Sequence, residues 1–160
     1  PADNAAASKI SAHYKSDFEA YQRRIFLALQ ALIDSGVAKD KIAIIGYCFG
    51  GTGALEAARA GFAVKAAVSI HGGLAKSSSR PNGIIKPSIL VQHPADDKSV
   101  STADLLHLEK ELKDGHADFQ LITYGQSGHT FTNPESADYN PLMAARAWAH
   151  LTLFLKEVLK

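Results

Sequence analysis

The sequence predicts an α/β fold in which helices flank a parallel β-sheet, and three observations support this prediction. Hydrophobic residues make up 46% and charged residues 21% of the 160 residues, which is the composition of a globular domain. Short apolar runs alternate along the chain with segments that have apolar residues at helical spacing. Polar, glycine-rich loops follow the apolar runs, as in parallel sheets that bind ligands at the carboxyl ends of their strands. We therefore expect a single domain over residues 1–160, with residues 1–15 as an irregular lead-in.

The predicted elements alternate between helix and strand, as the crossover connections of a parallel sheet require. Strands are predicted at residues 41–47, 64–70, 88–92 and 118–124, and helices at 16–34, at 50–60, after Ser101 and after Asn140. Three helix starts have capping signals: Ser16 with Glu19, Ser101 with Asp104, and Asn140 before Pro141. Residues 74–86, which include SSSRPNG, are predicted to form a loop.

The first predicted strand has an unusual pattern for its place in the chain. Its residues IAII are apolar at consecutive positions, which favours a central strand that is covered on both faces. Four strands connected in order would instead leave it at an edge of the sheet with unpaired backbone groups. We therefore expect the chain to be half of a larger sheet, completed by preceding strands on an N-terminal fragment or by self-association of two copies.

Charge and cysteine content exclude several classes of function. The net charge is +1 and the charged residues of both signs are mixed along the chain, so we expect no nucleic-acid partner and no membrane partner. A single cysteine excludes an internal disulfide framework and a CxxC pair. The N-terminal residues lack the features of a secretory signal. We expect a cytoplasmic protein.

The cysteine lies in the stretch IGYCFGG, which has the pattern of a nucleophile elbow. Gly46 and Gly50 flank Cys48 at two residues on either side, a strand precedes it and a helix follows it. This turn forces the nucleophile into a strained conformation with positive φ and presents it at a helix N-terminus, where the dipole favours the thiolate. The backbone N–H of Phe49 is then placed to stabilise an oxyanion. A small buried apolar cysteine is the less specific alternative.

An elbow nucleophile needs a base and an acid that orients it, and both are expected on loops after later strands. Asp96 and Asp97 follow the third predicted strand, and His129 follows the fourth. His129 would accept the thiol proton or form an ion pair with the thiolate, and one of the two aspartates would orient its ring. Both loops lie at the same edge of the sheet as Cys48.

The remaining candidate residues have less specific interpretations. His71, at the end of the second strand, is predicted to be a structural residue or part of a pocket wall, and His93 to make a local hydrogen bond. His13, His107, His116 and His150 are expected to be exposed. A metal site formed by His93, Asp96, Asp97 and His129 is disfavoured, because these residues do not form a tight HxH or HxxxH pair. Tyr47, Phe49, Phe131 and Tyr139 are expected either to line a pocket or to pack in the core.

Four stretches, IGYCFGGTGALEAARAG, AVSIHGGL, PADDKSV and GHTFTNP, resemble the C-terminal half of dienelactone hydrolase-family proteins. The resemblance implies an α/β-hydrolase-like fold that lacks the N-terminal strands, and a triad of Cys48, Asp97 and His129. Asp97 is selected because the acid of the family lies three residues before a valine, here Val100. It also implies hydrolysis of a lactone or activated ester through a thioester, with no cofactor and no metal.

The chain departs from the family pattern in two ways. The first strands, the second oxyanion donor and a glutamate near the resting thiol belong to the N-terminal half of the family. Members also carry an arginine four residues after the histidine, which holds the substrate carboxylate, and this chain has Asn133 there. We therefore expect a small-molecule lactone or ester other than dienelactone, contacted by Tyr47, His71, Phe131 and Asn133. Two alternative functions remain: a truncated domain that only binds a ligand or partner, and a redox-sensitive thiol protein.

Overall fold

The computed structural model describes residues 2–160. Within them, four parallel strands and five α-helices form the fold: α1 (Asn4–Ser16), α2 (Phe18–Asp34), β1 (Ala43–Tyr47), α3 (Phe49–Arg59), β2 (Ala66–Ile70), β3 (Ser88–Pro94), α4 (Thr102–Asp114), β4 (Phe119–Tyr124) and α5 (Pro141–Val158). The strands lie in the order β1-β2-β3-β4. The predicted α/β fold with a parallel sheet is confirmed, and the predicted element bounds that can be compared differ from these by no more than two residues.

The N-terminal segment differs from the expectation. Residues 1–15 were expected to be an irregular lead-in, but most of them form α1, which Asp3 caps by accepting a hydrogen bond from the first turn. The run of three alanines that follows has high helix propensity. The expected capping role of Ser16 is also wrong: Ser16 ends α1, and Asp17 caps α2 by accepting the backbone N–H of Ala20.

The later helix starts agree with their capping signals. The Ser101 hydroxyl accepts the backbone N–H of Asp104, and the Asp104 carboxylate accepts the backbone N–H of Ser101, so the expected capping box is present at α4. The side chain of Asn140 accepts a backbone N–H in the first turn of α5, whose first residue is Pro141. Local hydrogen bonding therefore determines where both helices begin.

The core consists of two layers, one on each face of the sheet. Residues of α3 and α4 pack with one set of alternating strand residues, including Ala67, Ile89 and Val91. Leu151 and Phe154 of α5 pack with the opposite set: Ala66, Val68, Ile70 and Leu90. Strands β2 and β3 are therefore covered on both faces, which explains why they consist almost entirely of buried residues.

Strand β1 is an edge strand, as the connection order predicted. Its side chains Ile45 and Tyr47 are 42% and 45% exposed, so within residues 2–160 this strand is not covered on both faces. That preceding strands or a second copy complete the sheet at this edge stays a prediction. The helices cover β2 and β3 more fully than β1.

None of the helices in the described part of the chain combines the length and apolar character needed to cross a membrane.

Buried charges connect the predicted loop over 74–86 to the helices. Lys76 and Arg80 from this loop, Glu56 and Arg59 from α3, and Glu111 from α4 form what we call the ionic cluster. Arg59 contacts Glu56 at 2.9 Å and Glu111 at 2.8 Å, and Arg80 contacts Glu56 at 3.0 Å. Burial alone would raise the pKa of Glu56, but hydrogen bonds and charge from Arg80 and Arg59 outweigh it and lower the pKa.

Candidate active site

Cys48 lies in the sharp turn between β1 and α3. Its backbone has φ 49° and ψ −119°, so the predicted positive φ is confirmed, and it is the N-cap residue of α3. A residue with a β-carbon occupies this region only when the surrounding structure holds it there. Strand β1 and helix α3 provide that constraint, and the half-buried sulfur lies at the carboxyl edge of the sheet.

Close packing requires only one of the two glycines that flank Cys48 at the elbow. A β-carbon on Gly46 would lie 1.9 Å from the carbonyl oxygen of Gly50, so no side chain fits at Gly46. A β-carbon on Gly50 would meet no atom within 4 Å, so close packing does not require that glycine. Gly51 is the downstream position without space, because a β-carbon there would lie 2.8 Å from Ser69 Oγ. Helix α3 therefore packs closely against β1 at Gly46 and against β2 at Gly51.

The loops after β3 and β4 bring Asp97 and His129 to Cys48. The Cys48 Sγ lies 3.2 Å from His129 Nε2, and His129 Nδ1 lies 2.7 Å from Asp97 Oδ2. The Asp97 side chain is fully buried, whereas Asp96 is exposed, so the structure brings Asp97 rather than Asp96 into this chain of contacts. Because a carboxylate can only accept, His129 Nδ1–H donates to Asp97 and Nε2 keeps a lone pair toward the sulfur.

A second histidine contacts the same sulfur. His71 is almost fully buried and its Nδ1 lies 3.4 Å from Cys48 Sγ. The backbone N–H of Cys48 donates to His71 Nδ1 at 3.2 Å, so Nδ1 has no proton, and Nε2–H donates to Thr132 Oγ1 at 2.9 Å. Burial, with a smaller contribution from His129, lowers the pKa of His71 to about 4. We call Cys48, His71, Asp97 and His129 the thiol cluster.

Burial raises the pKa of the Cys48 thiol, and the charge of Asp97 raises it further. Lys15 and the backbone N–H of Phe49 act in the opposite direction but do not outweigh burial. The N–H at the helix N-terminus therefore favours the thiolate, as expected, but burial outweighs it and the pKa of the thiol is raised. Phe49 is the first residue of α3, and its ring stacks on Tyr21 at 4.5 Å between centroids. Its side chain thus packs away from the sulfur while its N–H stays close to it.

A cavity of about 500 Å³ opens beside the sulfur. It is lined by Tyr47, Cys48, Ile70, His71, Gln92, Thr130, Thr132, Asn133, Pro134, Ala144, Ala147, Trp148 and Leu151. None of these described lining residues is a lysine, arginine, aspartate or glutamate. The cavity therefore offers hydrogen-bonding groups and apolar surface, but no formal charge to a bound molecule.

The structure separates the expected pocket residues into two groups. Tyr47, His71 and Asn133 line the cavity. Phe131, also expected to contact substrate, is fully buried, stacks on Tyr124 at 5.2 Å and is not among the lining residues. Tyr139 is 38% exposed and also lies outside the cavity wall. Phe131 is a core residue because the loop after β4 folds inward at this position.

Sequence reasoning missed most of the cavity wall, and Trp148 and Thr132 are two examples. Trp148 lies on α5, is 65% exposed and lines the cavity. Thr132, whose hydroxyl accepts from His71, lies next to Asn133 and had no separate signal. The periodicity of α5 could not identify Trp148, because a cavity wall and a core face have the same apolar spacing.

The remaining histidines lie outside the site. His93 in β3 is buried, and its Nδ1 makes no hydrogen bond within the described residues, so the expected local hydrogen bond is wrong for that atom. The other four histidines are exposed, as predicted: His13, His107, His116 and His150.

Comparisons with known proteins identify the family of this chain. The family model for the dienelactone hydrolase family matches residues 1–159. An uncharacterized protein of Caenorhabditis elegans is 34% identical over 130 residues, which cover 76% of this chain and 82% of that protein. A probable 2-oxo-3-(5-oxofuran-2-ylidene)propanoate lactonase of Bradyrhizobium sp is 28% identical over 131 residues, covering 76% of this chain and 52% of that protein.

A solved structure is similar over nearly the whole chain. The dienelactone hydrolase-like promiscuous phosphotriesterase P91 from metagenomic libraries is 33% identical, with a TM-score of 0.91, and the match covers 98% of this chain and 69% of P91. This chain thus spans about half the length of the Bradyrhizobium lactonase and about two thirds of P91. The chain belongs to the dienelactone hydrolase family of α/β-hydrolases.

Proposed function

We propose that this chain carries the reaction centre of a hydrolase for neutral lactones and small activated esters, with Cys48 as the nucleophile. The observation that carries the proposal is the continuous contact from Cys48 Sγ to His129 Nε2 at 3.2 Å and from His129 Nδ1 to Asp97 at 2.7 Å. These distances are within the hydrogen-bond reach that nucleophile, base and orienting acid need.

The reaction begins with the thiol in its protonated form. His129 Nε2 takes the thiol proton as the sulfur attacks the ester carbonyl carbon, and Asp97 stabilises the imidazolium that results. The backbone N–H of Phe49 donates to the oxyanion. His129 then returns the proton to the leaving alkoxide, which leaves a thioester on Cys48. Water, deprotonated by His129, attacks the thioester and releases the acid and the thiol.

The substrate class follows from the nucleophile and the cavity wall. A sulfur nucleophile reacts well with acyl groups that have good leaving groups, such as lactones, enol esters and thioesters. The absence of formal charge among the lining residues, including Asn133, favours neutral substrates over those with a carboxylate. The carboxylate of dienelactone would have no cationic partner among the described lining residues.

The test is turnover of p-nitrophenyl acetate by the wild-type chain, Cys48→Ala and His129→Ala. We expect multiple turnovers by the wild type, a fall of about three orders of magnitude or more in both variants, and an acetyl group on Cys48 detected by mass spectrometry. A single burst without turnover would contradict the hydrolase and favour a chain that only acylates. Equal rates for wild type and Cys48→Ala would reject Cys48 as nucleophile and favour the binding-domain alternative.

A second candidate activity is hydrolysis of neutral phosphotriesters. The similar structure P91 is described as a promiscuous phosphotriesterase, and a phosphotriester is, like a lactone, an uncharged electrophile. The uncharged cavity beside Cys48 supports this candidate. The measurement is release of p-nitrophenol from diethyl p-nitrophenyl phosphate, and activity that persists in Cys48→Ala would contradict it.

A further inference from the structure

We propose that the thiol cluster also binds one Zn²⁺ ion through Cys48, His71 and His129, and that this ion reversibly inhibits the enzyme. The binding stands on its own observations, whereas the inhibition rests on the proposed function. Cys48 Sγ, one ring nitrogen of His71 and one of His129 all lie within 4.8 Å of one another. The proposed reaction uses only one of the two histidines that contact the sulfur, so the position of His71 requires another explanation.

The two sulfur-to-nitrogen distances match those of a tetrahedral zinc site. Zinc bonds of about 2.3 Å to sulfur and about 2.0 Å to nitrogen place the two donor atoms about 3.5 Å apart in tetrahedral geometry. The Cys48 sulfur is 3.4 Å from His71 Nδ1 and 3.2 Å from His129 Nε2. Small side-chain rotations would bring all three donors to bonding distance around a single ion.

The hydrogen-bond pattern leaves three electron-pair donors facing one space. His129 Nδ1–H donates to Asp97, so Nε2 directs a lone pair toward the sulfur. The one lone pair of His71 Nδ1 lies between the backbone N–H of Cys48 at 3.2 Å and the sulfur at 3.4 Å. Zinc would take this lone pair from the backbone N–H, which also donates to the Ile70 carbonyl at 3.1 Å and keeps that partner. Apart from this backbone hydrogen, the three donors share only the thiol proton. Zn²⁺ replaces that proton, which is released to solvent, and forms bonds to the thiolate and both nitrogens.

Both histidines also have the outer partners typical of zinc-binding histidines. The distal nitrogen of a metal-bound histidine usually donates to a carboxylate, a carbonyl or another oxygen acceptor, which fixes the ring and its tautomer. His129 donates to the buried Asp97 at 2.7 Å, and His71 donates to Thr132 Oγ1 at 2.9 Å. Ring orientation is therefore established without the metal.

The fourth zinc position would face the cavity. Cys48 and His71 both line this space of about 500 Å³, so a water molecule can complete the tetrahedron. The ion would bind the sulfur that attacks the substrate and the His129 nitrogen that accepts the thiol proton. Zinc binding and ester hydrolysis are therefore mutually exclusive.

The experiment measures Zn²⁺ affinity by competition with a chromophoric chelator, using the full chain and the variant His71→Asn. Asparagine tolerates the backbone of His71, which has φ 40°, and can still accept the Cys48 N–H, but its amide is a poor zinc ligand. We expect one Zn²⁺ per wild-type chain and affinity at least about tenfold weaker in His71→Asn. The matched control is His116→Asn, an exposed surface histidine with φ 52°, which should bind as the wild type does.

Two further readouts keep binding and function apart. The wild type with Co²⁺ should show a sulfur-to-cobalt charge-transfer band and the visible bands of a tetrahedral ion, whereas an octahedral spectrum would overturn the site. Equal Zn²⁺ affinity of wild type and His71→Asn, or no stoichiometric binding, would also overturn it. Zn²⁺ should inhibit p-nitrophenyl acetate hydrolysis, with full recovery after EDTA. A chain that binds Zn²⁺ but never hydrolyses esters would refute the proposed function alone.

Discussion

Helix α3 connects two polar clusters that differ in how their charges are matched. The thiol cluster begins at its N-cap residue, Cys48, and the ionic cluster includes Glu56 and Arg59 further along the same helix. In the ionic cluster two carboxylates meet three cations, and the side chains are at most 17% exposed. In the thiol cluster a single carboxylate faces two histidines and a thiol beside an open cavity.

The difference indicates which cluster stabilises the fold and which performs chemistry. The buried charges of the ionic cluster pair with one another, so removing one leaves an unpaired charge. The thiol cluster has more lone pairs than protons to share between them, and a nucleophile and a base both need free lone pairs. Substitutions should therefore separate activity from stability.

The largest effect is expected for Asp97→Asn. The neutral amide cannot stabilise the charged form of His129, and its NH2 group can donate to Nδ1 and hold the ring in the wrong tautomer, so kcat for p-nitrophenyl acetate should fall by about 10³- to 10⁴-fold. The control is Asp96→Asn, because Asp96 is the exposed neighbour and its side chain is outside the contact chain. Equal losses in both variants would contradict the orienting role of Asp97.

The next effect concerns the ionic cluster. Glu111→Gln removes one carboxylate from the buried Arg59 and should lower the free energy of unfolding by about 3 kcal/mol, measured by urea denaturation. The control on the same helix is Glu109→Gln, whose partner Lys113 is exposed, and it should change stability by less than about 1 kcal/mol. Activity per folded chain should stay unchanged in both variants. A large loss of kcat in Glu111→Gln at full folding would show that the two clusters are coupled.

A smaller effect is expected from adding charge to the uncharged cavity. Asn133→Arg should raise the preference for mono-p-nitrophenyl succinate, which is anionic, over neutral p-nitrophenyl acetate. The expected change in the ratio of kcat/KM values is about tenfold, from one charge-assisted hydrogen bond. Ala137→Arg adds the same charge in the same loop but outside the cavity wall. If both variants shift the ratio equally, long-range attraction rather than contact explains the change.

The smallest effect is a dependence of stability on pH. Because the folded-state pKa of Glu56 lies below its ordinary value of 4.5, its contribution is fully present above that pH and is lost as pH falls through the lowered value. The wild type should therefore lose more unfolding free energy than Glu56→Gln between about pH 6 and pH 3. Parallel curves for the two proteins would show that Glu56 stays ionised or contributes nothing.

Local rules predicted the parts of the fold that depend on neighbouring residues. The capping box of Ser101 with Asp104 and the Asn140 cap before Pro141 depend on contacts within one turn. The elbow at Cys48 could be predicted because a strand, a glycine at position 46 and a helix lie next to one another in sequence. The same local reasoning failed at the start of α2, where Asp17 rather than Ser16 accepts a backbone N–H of the first turn.

Contacts between distant residues could not be predicted in the same way. Gly51 needs its small size because Ser69 lies opposite, and Phe131 is buried because its loop packs on Tyr124. The exposure of Trp148 follows from how α5 lies against the sheet. These outcomes depend on packing across the fold, which periodicity along the chain does not encode.

The sequence by itself determined that this chain has a parallel sheet, an elbow at Cys48, and an acid and a histidine on later loops at the same edge. Apolar patterns that repeat within a few residues give the positions of the strands and loops, and the connection rules of parallel sheets give the strand order. Only the tertiary structure decided that His71 also contacts the sulfur, that burial raises the pKa of the thiol, and that the cavity has no formal charge among its described lining residues. The physical reason is that desolvation and lone-pair direction depend on atoms brought together from distant parts of the chain.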